Sequence, residues 1–190
     1  KTPPCVKKII KKKIKKVYFS VNDPDLRSFK KSYKKFRNLN IYVNAGVFSN
    51  RIKQFYKSYI LYKENKLPFV TCKLAISKDY FTINKKKKWI TNKYSRGRVH
   101  LMRSNHDSII TSSNTIKIDN PSLNCRINGL EKTSPSRIIL DNHLKIPLKS
   151  NIIKNNKISK TIIFYNRANE SKIKLFKKRR IKIYKIPLNI

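Results

Sequence analysis

Two stretches of the sequence concentrate side chains able to hold a polar ligand where packing has no use for them. The first is Lys87, Trp89, Ile90 and Thr91, in which the only tryptophan stands in a polar, basic loop ahead of a helical pattern. The second runs Thr111, Ser112, Ser113, Asn114 and Thr115, then Asp119, Asn120, Pro121, Ser122, Leu123, Asn124 and Arg126. Hydroxyls and amides directly after a predicted strand, with an acid and an arginine behind them, suit a polar ligand at the carboxyl edge of an α/β sheet. The same residues suit a capped turn, because Ser and Asn are turn formers and Asp119-Asn120-Pro121 turns by its own chemistry. Spacing alone favours neither reading.

Other chemistries find less support. His100, His106 and His143 lie far apart without a metal-ligand spacing and read as surface or packing residues. Cys5, Cys72 and Cys125 are odd in number and not closely spaced, which speaks against a disulfide framework and for a reducing compartment. Cys72, in a predicted strand, and Cys125, beside Arg126, read as small buried residues. Cys5 follows Pro3 and Pro4 in a rigid turn. With only 3 Gly and neither GxGxxG nor GxxxxGK[ST], a phosphate cradle built from glycines is excluded.

The 190 residues carry 47 Lys and Arg against 9 Asp and Glu, a formal net charge of +38. Such a field attracts polyanions, and phosphate neutralisation supplies most sequence-independent affinity for nucleic acid. The lysines are nevertheless interleaved with apolar positions in helices and strands alike, and no RNP aromatic motif, GxxG loop or zinc-finger spacing occurs. A compositional bias over the whole chain accounts for the charge better than a dedicated nucleic-acid surface. No run approaches the roughly 18–20 apolar residues that span a bilayer, and the basic start lacks an apolar signal core. The expectation is a soluble, cytoplasmic protein without membrane contact. The chain opens on Lys1 and its one methionine is Met102, which reads as a fragment of a longer product.

The elements that must position these residues follow from periodicity. Residues 6–14 read as a basic helix and 17–20 as a short strand. Phe29, Tyr33 and Phe36 share one face of a helix ending near Asn38 or Asn40, and 41–47 return to an extended pattern. Ile52, Phe55, Tyr56, Tyr59 and Ile60 form a second amphipathic helix, closed by Pro68, that suits a linker between two units. Beyond it, 69–76 read as a buried strand and 95–102 as a helix with Arg96, Arg98 and Arg103 on or beside it. Residues 108–111, 137–140, 161–165 and 181–186 read as strands, with a helix over 170–178. This alternation argues for α/β architecture with a mainly parallel sheet. A composition that is 39% hydrophobic can fill one ordinary core or two small ones.

In chain order, several motifs resemble one family. Lys1-Thr2-Pro3-Pro4-Cys5 resembles the end of a zinc signature, and Asp23-Pro24 the DP of the loop that follows it. Phe69-Val70-Thr71-Cys72-Lys73-Leu74-Ala75-Ile76-Ser77-Lys78-Asp79 resembles a KLAxSLDG strand. Trp89-Ile90-Thr91 matches a WIT element. The segments 107–115 and 119–126 resemble a TVxxDxPxLxxR signature, and Arg137-Ile138-Ile139-Leu140-Asp141 an RVVLD strand. Together, from Lys1 to about Pro147, they are similar to the bifunctional riboflavin-biosynthesis deaminase–reductases.

The resemblance implies the end of a cytidine-deaminase-like domain over residues 1–47, a linker helix over 48–67, and a reductase domain similar to dihydrofolate reductase over 68–190. It implies zinc-dependent pyrimidine deamination in the part preceding this chain, with Cys5 as the last metal thiolate. It also implies NADPH-dependent reduction of 5-amino-6-(5-phosphoribosylamino)uracil, with the cofactor lined by the Ala75 backbone, Trp89, Thr115, Asp119 and Asn142. Lys87, Arg103, Leu123 and Arg126 fall on substrate positions, the arginines suiting a phosphate because the guanidinium fork matches its oxygens. Asp119 is the residue expected to act near the reacting sugar, and a homodimer is expected by analogy. Lys87 and Asn142 stand where the family usually has serine, and Lys78-Asp79-Tyr80 replaces its LDG. The alternatives are a stand-alone reductase of the same fold and a basic nucleic-acid-binding protein.

Overall fold

The computed structural model describes residues 5–25, 31–82 and 89–187. The chain divides into two compact units, Lys1–Lys73 and Leu74–Ile190.

The first unit contains α1 (Cys5–Lys11), β1 (Lys16–Phe19), α2 (Lys31–Asn38), β2 (Tyr42–Ala45), α3 (Ser49–Phe55) and α4 (Lys57–Asn65). β1 and β2 pair in parallel, Lys16 opposite Tyr42 through Phe19 opposite Ala45, with α2 as the crossover. The predicted aromatic face works as expected at Phe36, which is buried, and at Tyr33, whose ring meets Phe19 edge-on at 6.4 Å. Phe29 lies outside the described residues.

Cys5 opens α1 and is exposed, rather than sitting in a rigid turn. The helix predicted through Ile52 and Ile60 is two helices, parted at Tyr56. Neither has a buried residue, so no core contact imposes a single axis on the segment. α4 is instead tied to the loop after β1. Lys63 pairs with Asp25 at 2.9 Å, and the Tyr59 hydroxyl donates to Asp23 Oδ1 at 3.0 Å.

The largest departure from expectation is at residues 69–76. Their apolar pattern predicts a buried strand, but the segment has no regular structure, and Val70 and Leu74 are 80% and 68% exposed. Cys72 is exposed with them. A strand needs a neighbour for its N–H and C=O groups, and among the described residues no strand pairs with this run.

The second unit holds α5 (Lys93–Ser104), β3 (Ser108–Ser112), α6 (Ser113–Asp119), a short 3-10 turn (Glu131–Thr133), β4 (Ser136–Leu140), α7 (Asn151–Lys154), β5 (Thr161–Tyr165), α8 (Glu170–Lys178) and β6 (Lys182–Lys185). The strands form one parallel sheet in the order β3-β4-β5-β6, the mainly parallel α/β sheet that the strand–helix alternation implies. Strand periodicity of two sends Arg137, Ile139 and Asp141 inward, and likewise Thr161 and Ile163 on β5. There Ile139 and Ile163 join Ile116 of α6, Ile152 of α7 and Phe176 of α8 in the core.

Residues 113–119, which the sequence leaves open between a ligand edge and a capped turn, fold as α6. Ser112 caps it by accepting from the Thr115 N–H, and Ile116 at 1% exposure anchors it to the sheet. Among the described residues, no helix is long and apolar enough to cross a membrane.

At the amino end of β4, the Arg137 side chain is 1% exposed without an acidic partner among the described residues. Its Nη1 donates to the Ser122 carbonyl at 3.0 Å, and its Nη2 to the carbonyls of Asn155, at 3.0 Å, and Ser159. Burial lowers its pKa to about 10, so it remains a cation at neutral pH. Three carbonyls from two connecting segments, the one after α6 and the one between α7 and β5, thus converge on one guanidinium.

Candidate functional site

In a parallel sheet the carboxyl ends of the strands are the natural ligand edge, because the loops there lead into helix amino termini. β3 ends at Ser112, whose register partner on β4 is Leu140. Thr115, in the first turn of α6, and Asn142, two residues beyond β4, therefore issue from adjacent strand ends. The Asn142 carbonyl accepts from the N–H groups of Asn166 and Arg167 at 3.0 and 2.9 Å, which stitches this rim to the end of β5. Buried Asp141 holds the same turn, its Oδ2 accepting from the Ile146 N–H at 2.9 Å. The Asn142 side chain is left exposed at the tip.

Asp119 closes α6 and is exposed. Next, Asn120 takes a left-handed conformation and is clasped by Asn151, whose N–H donates to Asn120 Oδ1 at 2.8 Å and whose Nδ2 donates to the Asn120 carbonyl at 2.7 Å. Leu123 is also left-handed, with φ 55°, and its side chain is buried. Cys125 is fully buried, and its N–H donates to Ser134 Oγ at 3.0 Å. Arg126 follows this anchored stretch and is exposed.

α5 supplies the other side of this cluster. Arg103 donates from Nη1 to the Asn124 carbonyl at 3.1 Å, and His100 contacts the same oxygen through Nδ1 at 3.2 Å. Burial first, and then the neighbouring Arg126 charge, lower the Arg103 pKa. His100 is lowered by burial, then by Arg103 and Arg126. Arg103 Nε and Asn124 Oδ1 are buried without a hydrogen-bond partner among the described residues. Arg137 Nε and Ser150 Oγ are likewise unsatisfied among those residues, but the buried donor Arg103 Nε, unlike them, has a second guanidinium beside it and so suits a bound anion. Two guanidinium groups close enough to lower a pKa, with an unused donor, make a place for an anion.

Of the residues singled out from sequence, Thr115 and Asn142 share the rim, Arg103 and Arg126 form the cationic cluster, and Leu123 joins the core. Asp119 lies between them in the chain. Trp89 is 57% exposed, with the Arg96 guanidinium 5.0 Å over its ring. Ala75 stands in the segment without regular structure, just before a turn in which Ser77 and Phe81 exchange hydrogen bonds. Lys87 lies outside the described residues. From sequence, His100 reads as a surface or packing residue and Asn124 only as one member of the polar cluster. The available signal was His100 and Arg103 three apart on one helix face. Cys5 gains no companions: among the described residues no three His, Cys, Asp or Glu gather to hold a metal. One thiolate does not make a tetrahedral zinc site, so zinc does not fit the residues present.

A parallel sheet flanked by helices, with hydroxyl, amide and guanidinium groups at one edge, defines an α/β ligand-binding domain. Residues 68–189 match the model of the RibD C-terminal domain, and the chain belongs to that family. Its fold is the dihydrofolate-reductase-like one of this family.

The riboflavin biosynthesis protein RibD of Aquifex aeolicus is 33% identical over 180 residues, 94% of this chain and 50% of the relative. That of Bacillus amyloliquefaciens is 34% identical over 155 residues, 80% of this chain and 42% of the relative. Among solved structures, the Thermotoga maritima diaminohydroxyphosphoribosylaminopyrimidine deaminase/5-amino-6-(5-phosphoribosylamino)uracil reductase superposes with a TM-score of 0.78 at 30% identity, covering 96% of this chain and 56% of that one. Acinetobacter baumannii RibD gives 0.78 at 24% identity, covering 98% and 52%. The chain thus spans about half the length of the relatives it matches. With the family established, the nucleic-acid reading of the charge is not favoured.

Proposed function

We propose that this chain belongs to an enzyme of riboflavin biosynthesis and carries its NADPH-dependent reductase half. The reaction is reduction of the ribosyl carbon of 5-amino-6-(5-phosphoribosylamino)uracil, opening the sugar to the ribitylamino product. The observation that carries this reading is the pairing of Arg103 with Arg126 beside an unused buried donor, in a chain of the RibD C-terminal family. The two guanidinium groups hold the substrate phosphate, while Leu123, whose side chain lies in the core, is assigned to the substrate by resemblance. Lys87 is assigned to the substrate by resemblance.

NADPH, when bound, supplies the hydride. The residues present fit such a group, because the exposed Asn142 amide and the Thr115 hydroxyl stand at neighbouring strand ends, where a nucleotide finds hydrogen-bond donors. Trp89 offers an apolar face, and the Ala75 backbone completes the lining. Asp119 acts near the reacting sugar as an acceptor that orients its hydroxyls.

For the complete protein, residues 1–47 are read as the end of the zinc-dependent deaminase domain, 48–67 as the linker and 68–190 as part of the reductase domain. On that reading Cys5 serves a metal site completed by residues preceding this chain. A cytoplasmic homodimer acting on a small phosphoribosylaminopyrimidine completes the proposal. The test is a titration of NADPH, then NADH, into the complete protein at moderate salt, followed by Trp89 fluorescence. Saturable quenching with NADPH preferred is expected. Absence of saturation in a folded sample, together with tight, salt-sensitive binding to DNA, refutes the reading.

A further inference from the structure

We propose that His100 is a positioning residue: by donating from Nδ1 to the Asn124 carbonyl, it fixes the 123–126 segment from which Arg126 meets an anionic substrate group. The inference rests on the phosphate-binding role assigned to Arg103 and Arg126.

A carbonyl oxygen only accepts, so at 3.2 Å the imidazole must present Nδ1–H. The oxygen has two lone pairs, and Arg103 Nη1 at 3.1 Å takes the other. His100 and Arg103 lie three residues apart on α5, which puts them on one face and lets both reach a single acceptor. The acceptor sits between two fixed points, since Arg137 holds the Ser122 carbonyl on one side and Ser134 holds the Cys125 N–H on the other. Leu123 is left-handed and buried, Cys125 is held through its N–H to Ser134, and Arg126 is the first residue beyond the anchor. A neutral imidazole supplies this hydrogen bond without adding a third charge to two arginines that already disfavour one another. Without the imidazole, Arg103 Nη1 is the one remaining side-chain donor to this carbonyl among the described residues, and the peptide leading to Cys125 and Arg126 loses one of its two tethers there.

Cys125 gives a local readout. It is fully buried in the anchored stretch, whereas Cys5 and Cys72 are exposed, so a thiol reagent should label two sites fast and Cys125 slowly. The experiment follows Cys125 labelling by mass spectrometry in the 190-residue chain at pH 7.5, with and without inorganic phosphate at constant ionic strength.

In the parent chain phosphate should slow Cys125 labelling. His100→Leu should label about three- to tenfold faster, the range expected for loss of one net hydrogen bond, and should lose the phosphate effect. His100→Asn, whose Nδ2 falls where Nδ1 stood, should restore both. The role is overturned if folded His100→Leu labels at the parent rate, or if folded His100→Asn fails as badly as His100→Leu. Should His100→Leu fail to fold, a parent-like phosphate response retained by His100→Gln, which cannot place a donor at the Nδ1 position, overturns it, and loss of that response supports it. Phosphate that leaves the parent rate unchanged removes the anion site itself, which separates that failure from failure of the positioning role.

Discussion

Replacing Arg137 with methionine removes the fork that joins two connecting segments while keeping an unbranched side chain of similar reach. Three charge-assisted hydrogen bonds are lost, to the carbonyls of Ser122, Asn155 and Ser159. At about 1.5–3 kcal/mol each, they total about 4.5–9 kcal/mol. Against this stands relief of the buried charge. The fall of the guanidinium pKa from its ordinary value to about 10 corresponds to about 3 kcal/mol of desolvation. The net expectation for Arg137→Met is a loss of about 2–6 kcal/mol, a large share of the stability of an ordinary domain.

The three acceptors are not equivalent. The Asn155 carbonyl also accepts from the N–H groups of Ile158 and Ser159, whereas those of Ser122 and Ser159 have no second donor among the described residues. Arg137→Lys tests the fork directly. A single ammonium can serve the two acceptors shared by Nη2 but cannot also reach the one served by Nη1, so its loss should lie between parent and methionine. Urea unfolding followed by circular dichroism gives the order: parent, then Arg137→Lys, then Arg137→Met. A methionine variant within about 0.5 kcal/mol of the parent, the scatter of ordinary surface changes, would refute the account, as would a lysine variant no better than methionine.

Tyr80 stands where the family's motif has glycine and adopts φ 65°, a left-handed conformation that glycine takes without strain. Tyr80→Gly should therefore stabilise the folded chain by about 0.5–1 kcal/mol, read as a higher urea midpoint at unchanged slope; a lower midpoint contradicts this. Asp119→Ala in the complete protein should lower reductase kcat by at least about tenfold, the range of one positioned polar group, with the circular dichroism spectrum unchanged. Unaltered turnover removes Asp119 from the reaction.

His100 has a folded pKa below its ordinary 6.5. The unfolded chain therefore binds its proton more tightly, so its stabilising contribution is complete above pH 6.5 and is lost as pH falls towards the lower folded value. Urea midpoints should drop between pH 7.5 and 5, and His100→Asn should flatten the drop. An equal drop in both proteins sinks the assignment.

Most of the second unit was legible in the sequence. The apolar runs over 137–140 and 161–165 became β4 and β5, and the helix predicted over 170–178 is α8. Runs of β-branched residues between polar turns carry both propensity and burial, so local and tertiary preferences agree there. They disagree at 69–76, where a strand-like pattern finds no pairing partner among the described residues. They disagree again at 113–119, where residues typical of turns become a helix because Ser112 caps it and Ile116 is taken into the core.

The candidate site divides in the same way. Which side chains could bind phosphate or a nucleotide is a matter of composition and motif order. Thr115, Arg103, Leu123, Arg126 and Asn142 were visible on those grounds. That Asn142 and Thr115 issue from adjacent strand ends follows from parallel pairing of β3 and β4. The work of Arg137 and His100 could not be read at all, because both act on backbone carbonyls. Every residue carries the same carbonyl, so no residue type marks Ser122, Asn124, Asn155 or Ser159 as an acceptor. By itself the sequence determined the family, the parallel α/β scaffold and the chemistry of the ligand edge. Only the tertiary structure decided which distant backbone oxygens each buried cation and imidazole would meet, because those pairings exist only once the chain has brought them together.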